Sequence, residues 1–342
     1  MADSPVVAPP CSSNINIPHP GVREFLFHPK QSLPLVFQAG DEELDPVEWL
    51  KSNKALVEVK LRKHGAILLR GFAASSVSTF EQCAEVLSSD LFTEYGDLPR
   101  EKGGRKVYES TPYSAGRSIL FHHEASHTHQ WPMKQWFYCV QPAREGGCTP
   151  LADGRRVYGE LAPGVREQFG RKGLKYVRNF IGGLDVSWQD FFKSKDPRVV
   201  EESCRLSSID CEWSGDTLRT SRTCPAFATH PQTREMVFFN QILLHHVACL
   251  PSTLRNSLLT LYPETDLPRN VYFGDGSEIP DELVHEIQEV YERVAVRFPW
   301  QKHDIVLVDN MLVAHSRDPF VGDRKILVAM AEMVKSADVF AA

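Results

Sequence analysis

The sequence predicts a mainly β fold of the sandwich or jelly-roll kind, with helices inserted between the strands. Three observations predict it. Short apolar runs rich in Ile, Leu, Val and aromatic residues recur from about residue 66 to residue 330. Helical patterns interrupt these runs without alternating with them regularly, which argues against a doubly wound parallel sheet and for a decorated sandwich or jelly roll. The 342 residues show no internal repeat and no long linker, so one large domain with a sizeable core accommodates them.

Residues 1–20 are rich in Pro, Ser, Asn and Ala and read as a flexible tail, leaving 21–342 as a single domain. Asp45-Pro46 reads as an N-cap with Pro at the first helical position, opening a helix that runs to about His64, before Gly65. Ala66 to Phe72 reads as a short buried strand. Ser78 is placed to cap a helix from Thr79 to about Ser89, with Phe80, Cys83, Ala84 and Leu87 on one face. Residues 93–118 are polar and carry Gly96, Gly103, Gly104 and Gly116, so they read as a lid loop. Strands are expected at Gln135–Val140, Leu174–Arg178, Glu235–Phe239, Asp304–Asp309 and Lys325–Met330. The 156–206 and 251–296 regions read as helical insertions. The second ends in a helix over 280–296, with Leu283, Ile287, Val290 and Val294 on its apolar side.

Composition narrows the function. The net charge is −6 and there is no Lys/Arg-rich run, which argues against nucleic-acid binding. No apolar stretch approaches the roughly 20 residues that cross a bilayer, and no signal peptide is evident. The eight Cys are scattered without a C-x-x-C pair and read as reduced thiols. These features favour a cytoplasmic protein that meets small molecules, with no membrane partner. A homo-oligomer is compatible with the sequence.

The chemistry concentrates in His122-His123-Glu124-Ala125-Ser126-His127. One reading takes His122-x-Glu124 on a strand, where residues two apart share a face. With the distant His315, an imidazole pair and a carboxylate then form a 2-His-1-carboxylate set with coordination positions left open. The other reading takes His123-Glu124-x-x-His127 as the zincin pattern of a zinc hydrolase, with Glu145 available as a third ligand. That chemistry needs a helix, and Trp131-Pro132 stops one within about a turn. Taken alone, H-x-E is common, and tandem histidines are often merely satisfied polar groups.

The wider pattern resembles the taurine dioxygenase/clavaminate synthase-like family of iron(II)/2-oxoglutarate oxygenases over about residues 60–333. The resemblance is carried by Gly65 to Phe72, by Phe121-His122-His123-Glu124, by Gly146-Gly147-Cys148-Thr149-Pro150, and by Pro299 to Asp304 through His315-Ser316-Arg317-Asp318-Pro319-Phe320. It implies a double-stranded β-helix core of the jelly-roll, cupin-like type. It also implies His122, Glu124 and His315 as the ligands of Fe(II), with 2-oxoglutarate as cosubstrate and O2 as oxidant. Thr149, 25 residues after Glu124, is implied as a hydrogen bond to the far carboxylate of 2-oxoglutarate. The cation for that carboxylate is Arg324, nine residues after His315, or Lys325 in the neighbouring register.

The reaction implied is decarboxylation of 2-oxoglutarate to succinate and CO2, coupled to attack on an unactivated C–H bond of a small metabolite. Hydroxylation is the default, with desaturation or cyclisation as variants. Where taurine dioxygenase places a second Arg for its sulfonate, this chain has Ile326-Leu327-Val328-Ala329, which argues against a taurine-like substrate. A Glu ligand in place of Asp resembles the clavaminate synthase side. Phe121, His123, Asn240 and Arg317 are the candidates for the substrate pocket. His245-His246 is a further pair with no spacing argument attached. A catalytically inactive binding protein on the same fold is the remaining alternative, and the presence of all three ligands speaks against it.

Overall fold

A computed structural model describes residues 21–88, 90–92, 106–109 and 113–340. The tail expected over 1–20, and residues 93–105 and 110–112 of the expected lid, lie outside them.

The principal sheet has seven strands in the order Val22–Leu26, Leu35–Ala39, Ala66–Arg70, Ile305–Asp309, Gln130–Gln141, Lys325–Lys335 and Tyr108–Glu109. All neighbours are antiparallel except the parallel pair Leu35–Ala39 and Ala66–Arg70. A smaller sheet sets Val313–Arg317 between Ile119–His122 and Leu151–Asp153. These two sheets are the β core that the sequence predicts. The alternation of side chains along a strand sorts the core into layers. In Ile305–Asp309, Ile305 and Leu307 face the helices Pro46–His64 and Val77–Leu87, whereas Val306 and Val308 face the interior between the sheets. Each such fully buried aliphatic residue contributes about 1.5–3 kcal/mol.

The small sheet alternates in the same way. Phe121, Ala152 and Ala314 pack outward against the helix Asp281–Val294. His122 and His315 point the opposite way, and the His315 ring meets Phe137 of the principal sheet edge-on at 5.1 Å. The metal candidates therefore face the chamber between the sheets.

The first helix matches its signals. The Asp45 carboxylate accepts from the Val47 amide, and Gly65 ends the helix at φ 73° with its N–H donating to the Leu61 carbonyl. The second starts two residues earlier than expected, because Ser76 and not Ser78 accepts from the Thr79 amide; it runs from Val77 to Leu87. The strand expected over 235–239 is reduced to Met236–Val237, with Phe238 and Phe239 buried beyond it. In the helix Asp281–Val294 the buried stripe is Val284, Ile287, Val290, Tyr291 and Val294, so Leu283 sits at its margin. Part of the expected lid is sheet, for Tyr108–Glu109 pairs with Leu327 and Val328.

The expected strand in the first insertion, Leu174–Asn179, and an unexpected one in the second, Arg269–Phe273, join Asp210–Ser214 and Thr217–Cys224 from the stretch between the insertions in a four-stranded antiparallel sheet, in the order Asp210–Ser214, Thr217–Cys224, Leu174–Asn179 and Arg269–Phe273. The seven described cysteines are free thiols, and no described helix is long and apolar enough to cross a membrane.

Candidate active site

His122 ends the strand Ile119–His122 and stands directly across from His315 in the antiparallel register. Their rings lie 4.2 Å apart, centroid to centroid. After His122 the chain turns sharply, with Ala125 at φ 55°. That turn brings the Glu124 carboxylate back to 4.0 Å from His122 Nε2. One donor atom from each of His122, Glu124 and His315 lies within 4.8 Å of the others.

The surroundings prepare these atoms for a cation. His122 Nδ1 lies 2.8 Å from the Leu120 carbonyl, so that nitrogen carries the proton and Nε2 keeps its lone pair. His315 Nδ1 is buried without a hydrogen-bond partner. Burial, reinforced by His122 and His123, holds the His315 pKa well below the usual imidazole range, which keeps the ring in its metal-binding form. Asn310 fixes the Glu124 backbone from both sides. Its Oδ1 accepts from the Glu124 amide at 2.7 Å, and its Nδ2 donates to the Glu124 carbonyl at 3.0 Å. Two imidazoles and one carboxyl group on a preformed face suit a divalent transition metal.

The zincin arrangement is absent. Residues 124–127 form turns, not a helix. His123 is fully buried, donates through Nδ1 to the Asn310 carbonyl at 2.7 Å and packs on Phe239. His127 packs instead on Tyr176 and His245. The two histidines of that motif do not converge on one ion.

Beside the triad, the glycine turn carries Gly146 and Gly147 at φ 68° and 67°. A side-chain carbon on Gly146 would meet the Pro319 carbonyl oxygen at 2.3 Å. Gly146→Ala is therefore expected to lose at least about 1–3 kcal/mol from backbone strain alone, read as a lower urea midpoint. The turn presents Thr149, whose hydroxyl oxygen receives hydrogen bonds from Trp300 Nε1 at 3.1 Å and Arg324 Nη2 at 3.2 Å. With both lone pairs engaged, the Thr149 proton is left to donate to an acceptor. Arg324 also donates to the Gly147 carbonyl and lies over the Phe320 ring. Burial, then the charge of Arg317, lowers its pKa to about 10. A cation destabilised in this way is poised for an anion. The register pairs Lys325 with Gln141 on the principal sheet. Arg324 is thus joined to Thr149 by a hydrogen bond. Trp300 was not singled out from the sequence as a site residue, although it lies in a stretch that carries the resemblance.

Phe121 stacks on Tyr291 in the outer core at 5.2 Å. His123 is in the core, as described. Asn240 is buried, donating to the Ala226 carbonyl and accepting from the Ile242 amide. Arg317 donates to the carbonyls of Tyr113, Ser114 and Arg117. It anchors the end of the expected lid.

The model of the Taurine catabolism dioxygenase TauD, TfdA family matches residues 31–330. The chain is 39% identical over 276 residues to the dapdiamide synthesis protein DdaC of Enterobacter agglomerans, covering 80% of this chain and 84% of that protein. It is 27% identical over 339 residues to a clavaminate synthase-like protein of Arabidopsis thaliana, covering 96% and 93%. Among solved structures, PvcB of Pseudomonas aeruginosa superposes with a TM-score of 0.56 at 15% identity, over 93% of this chain and 94% of that one. A taurine dioxygenase of Burkholderia xenovorans gives 0.52 at 14% identity, over 91% and 89%.

The protein belongs to the TauD/TfdA dioxygenase family. Membership makes it an oxidoreductase acting on a small molecule, with the iron(II), 2-oxoglutarate and oxygen dependence that the sequence resemblance implied.

Proposed function

We propose that the protein hydroxylates an unactivated C–H bond of a small metabolite, with His122, Glu124 and His315 holding iron(II) and Thr149 and Arg324 holding the far carboxylate of 2-oxoglutarate. The observation that carries this reading is the convergence of one donor atom from each of the three ligands to within 4.8 Å. When bound, iron(II) with 2-oxoglutarate and oxygen supplies the oxidising power for C–H attack, and 2-oxoglutarate leaves as succinate and CO2.

The chain's own residues bind and orient. The Leu120 carbonyl keeps His122 in the tautomer that leaves Nε2 free. Asn310 holds the turn that aims Glu124. The Thr149 hydroxyl and the Arg324 guanidinium offer a donor and a positive charge to one end of a dicarboxylate. Trp300 fixes the Thr149 oxygen from behind. Phe137, packed edge-on against His315, presents an apolar surface beside the ligand set and helps keep water from it. A 39% identical relative named for dapdiamide synthesis supports a biosynthetic setting.

Anaerobic titration with iron(II) and 2-oxoglutarate tests the reading through the visible charge-transfer band, and succinate release tests turnover. A protein that forms no band with both present would refute it. Arg324→Gln is expected to weaken 2-oxoglutarate binding by roughly 10–100-fold, the loss of a charge-assisted hydrogen bond. Lys325→Gln is expected to change it by less than about threefold, as for a cation outside the contact. Titration of the band gives both constants, and the reverse order would move the anchor to Lys325.

A further inference from the structure

The chain crosses from the principal sheet to the small one at a short corner, between Ile305–Asp309 and Val313–Arg317. Both halves of the metal site hang on it. Asn310, in the corner, holds the Glu124 amide and carbonyl, and its own carbonyl accepts from His123 Nδ1 at 2.7 Å. Its Nδ2 also donates to the Pro132 carbonyl at 2.8 Å, and its backbone N–H donates to the Met133 carbonyl at 2.8 Å. At the end of the corner the Leu312 carbonyl accepts from the Gly154 amide, and the strand that carries His315 begins at the next residue.

Asp309 gives the corner its shape. Its Oδ1 accepts from the amides of Met311 and Leu312, at 3.0 and 3.1 Å, the turn that an Asp side chain makes with its own backbone. Its Oδ2 lies 3.1 Å from Nε2 of His230, a fully buried residue. On the other side of that ring, Nδ1 accepts from the amides of Gln232 and Thr233, at 3.3 and 3.0 Å. A ring nitrogen that accepts carries no proton, so the His230 proton sits on Nε2 and is donated to Asp309. His230 is itself fixed where the chain turns between Ala228–Thr229 and Met236–Val237, its backbone N–H donating to the Glu235 carbonyl.

The same stretch touches the ligand segment at its far end. The Phe239 ring packs on His123 at 5.0 Å, and Gln241 Nε2 donates to the His123 carbonyl at 2.8 Å. Residues 230–241 thus grip the corner at one end and the residue between His122 and Glu124 at the other. A buried His–Asp contact adds less stability than its hydrogen bond suggests, because both groups leave water to form it. What it fixes is direction, since one N–H and one oxygen permit one setting of the corner.

We propose that His230 is a positioning residue for the metal ligands, acting through Asp309 and Asn310 to hold the Glu124 carboxylate and the His315 strand in register for one ion. The proposal rests on the ligand set of the oxygenase reading. A role confined to folding would show in stability alone, whereas this role shows in the geometry of the bound metal.

The test titrates the full chain with Co(II), whose visible bands report ligand geometry, and reads affinity by competition with a chelator. His230→Leu removes the donor. It is expected to shift the bands and to raise the Co(II) Kd about tenfold, the lower end of what losing an outer partner of a ligand costs. His230→Gln keeps an N–H for Asp309 and is expected to recover most of both effects. Asp309→Asn sets an N–H against either His230 Nε2 or the corner amides, whichever way its side chain lies, and is expected to follow His230→Leu. In the metal-free protein, exchange of the Glu124 amide is expected to quicken in both. Asp304→Asn, beside the other end of the same strand, serves as the control for lost stability and is expected to leave the bands in place. Parent-like bands and Kd in a folded His230→Leu, no recovery in His230→Gln, or an equal band shift in Asp304→Asn would overturn the proposal. So would a His230→Leu chain that does not fold, because the residue would then serve the fold alone. A parent chain whose triad binds no Co(II) would instead sink the oxygenase reading.

Discussion

Replacing His122 or His315 with alanine is expected to abolish the iron(II)/2-oxoglutarate charge-transfer band and reduce metal affinity by more than about 100-fold, the upper end of what losing an outer partner of a ligand costs. His127→Ala is expected to leave the band intact. The contrast follows from position. His122 and His315 are direct cross-strand partners facing the chamber, whereas His127 lies against Tyr176 and His245. Glu124→Gln keeps the shape and the contact with Gln135 but removes the negative charge, and is expected to weaken metal binding in the same direction. Competition titration with a chromophoric chelator measures all four variants. A His127→Ala protein that lost the band would revive the His123-x-x-x-His127 reading.

The second large effect concerns stability. Arg70 ends the strand Ala66–Arg70, and Asp304 immediately precedes Ile305–Asp309. Their side chains form a buried two-pronged pair, Nε to Oδ1 at 3.0 Å and Nη2 to Oδ2 at 2.6 Å. Arg70 Nη2 also donates to the Pro299 carbonyl, and Asp304 accepts from the Gln301 amide. Asp304→Asn is expected to destabilise the fold by about 3–5 kcal/mol, because it leaves a buried guanidinium without its counter-charge. The double change Arg70→Met with Asp304→Leu is expected to recover part of that loss, since burying no charge is cheaper than burying one. Urea unfolding with unchanged slope reads both values. A single variant as stable as the parent would mean that water reaches the guanidinium.

This pair also shows why two separated stretches of sequence carried the resemblance. Gly65 to Phe72 and Pro299 to Asp304 are far apart in the chain, but one buried ion pair joins them beside the principal sheet. The strands around them were legible because their Ile, Leu and Val runs are continuous. The strand Val313–Arg317 was not, since Ala314, His315 and Ser316 have little strand preference and are held there by their neighbours. The insertions misled in a similar way. Arg269–Phe273 lies among helical patterns and reads as a strand only once Leu174–Asn179 is beside it.

His122 and Glu124 were expected to share a strand face, but the strand ends at His122 and Glu124 lies in the turn after it, so the turn and not strand alternation brings the carboxylate to 4.0 Å from His122 Nε2. Ala125 at φ 55° redirects the chain after Glu124. His123 is thereby left in the core, and His127 is delivered to the four-stranded sheet. Arg324 and Lys325 could not be separated from sequence, since a strand edge offers either neighbour to either side. The hydrogen bond from Arg324 to Thr149 is the contact that favours Arg324 in the proposed anchor.

The cross-strand meeting of His122 with His315 has a mechanical consequence. Ile119–His122 is an edge strand of four residues whose one sheet neighbour is Val313–Arg317. An ion gripped by both imidazoles would act as a rivet between them, closing a loop of nearly two hundred residues. Local fraying of that edge should then slow when metal is added, and amide exchange at residues 119–122 would register the slowing before the global melting temperature moves.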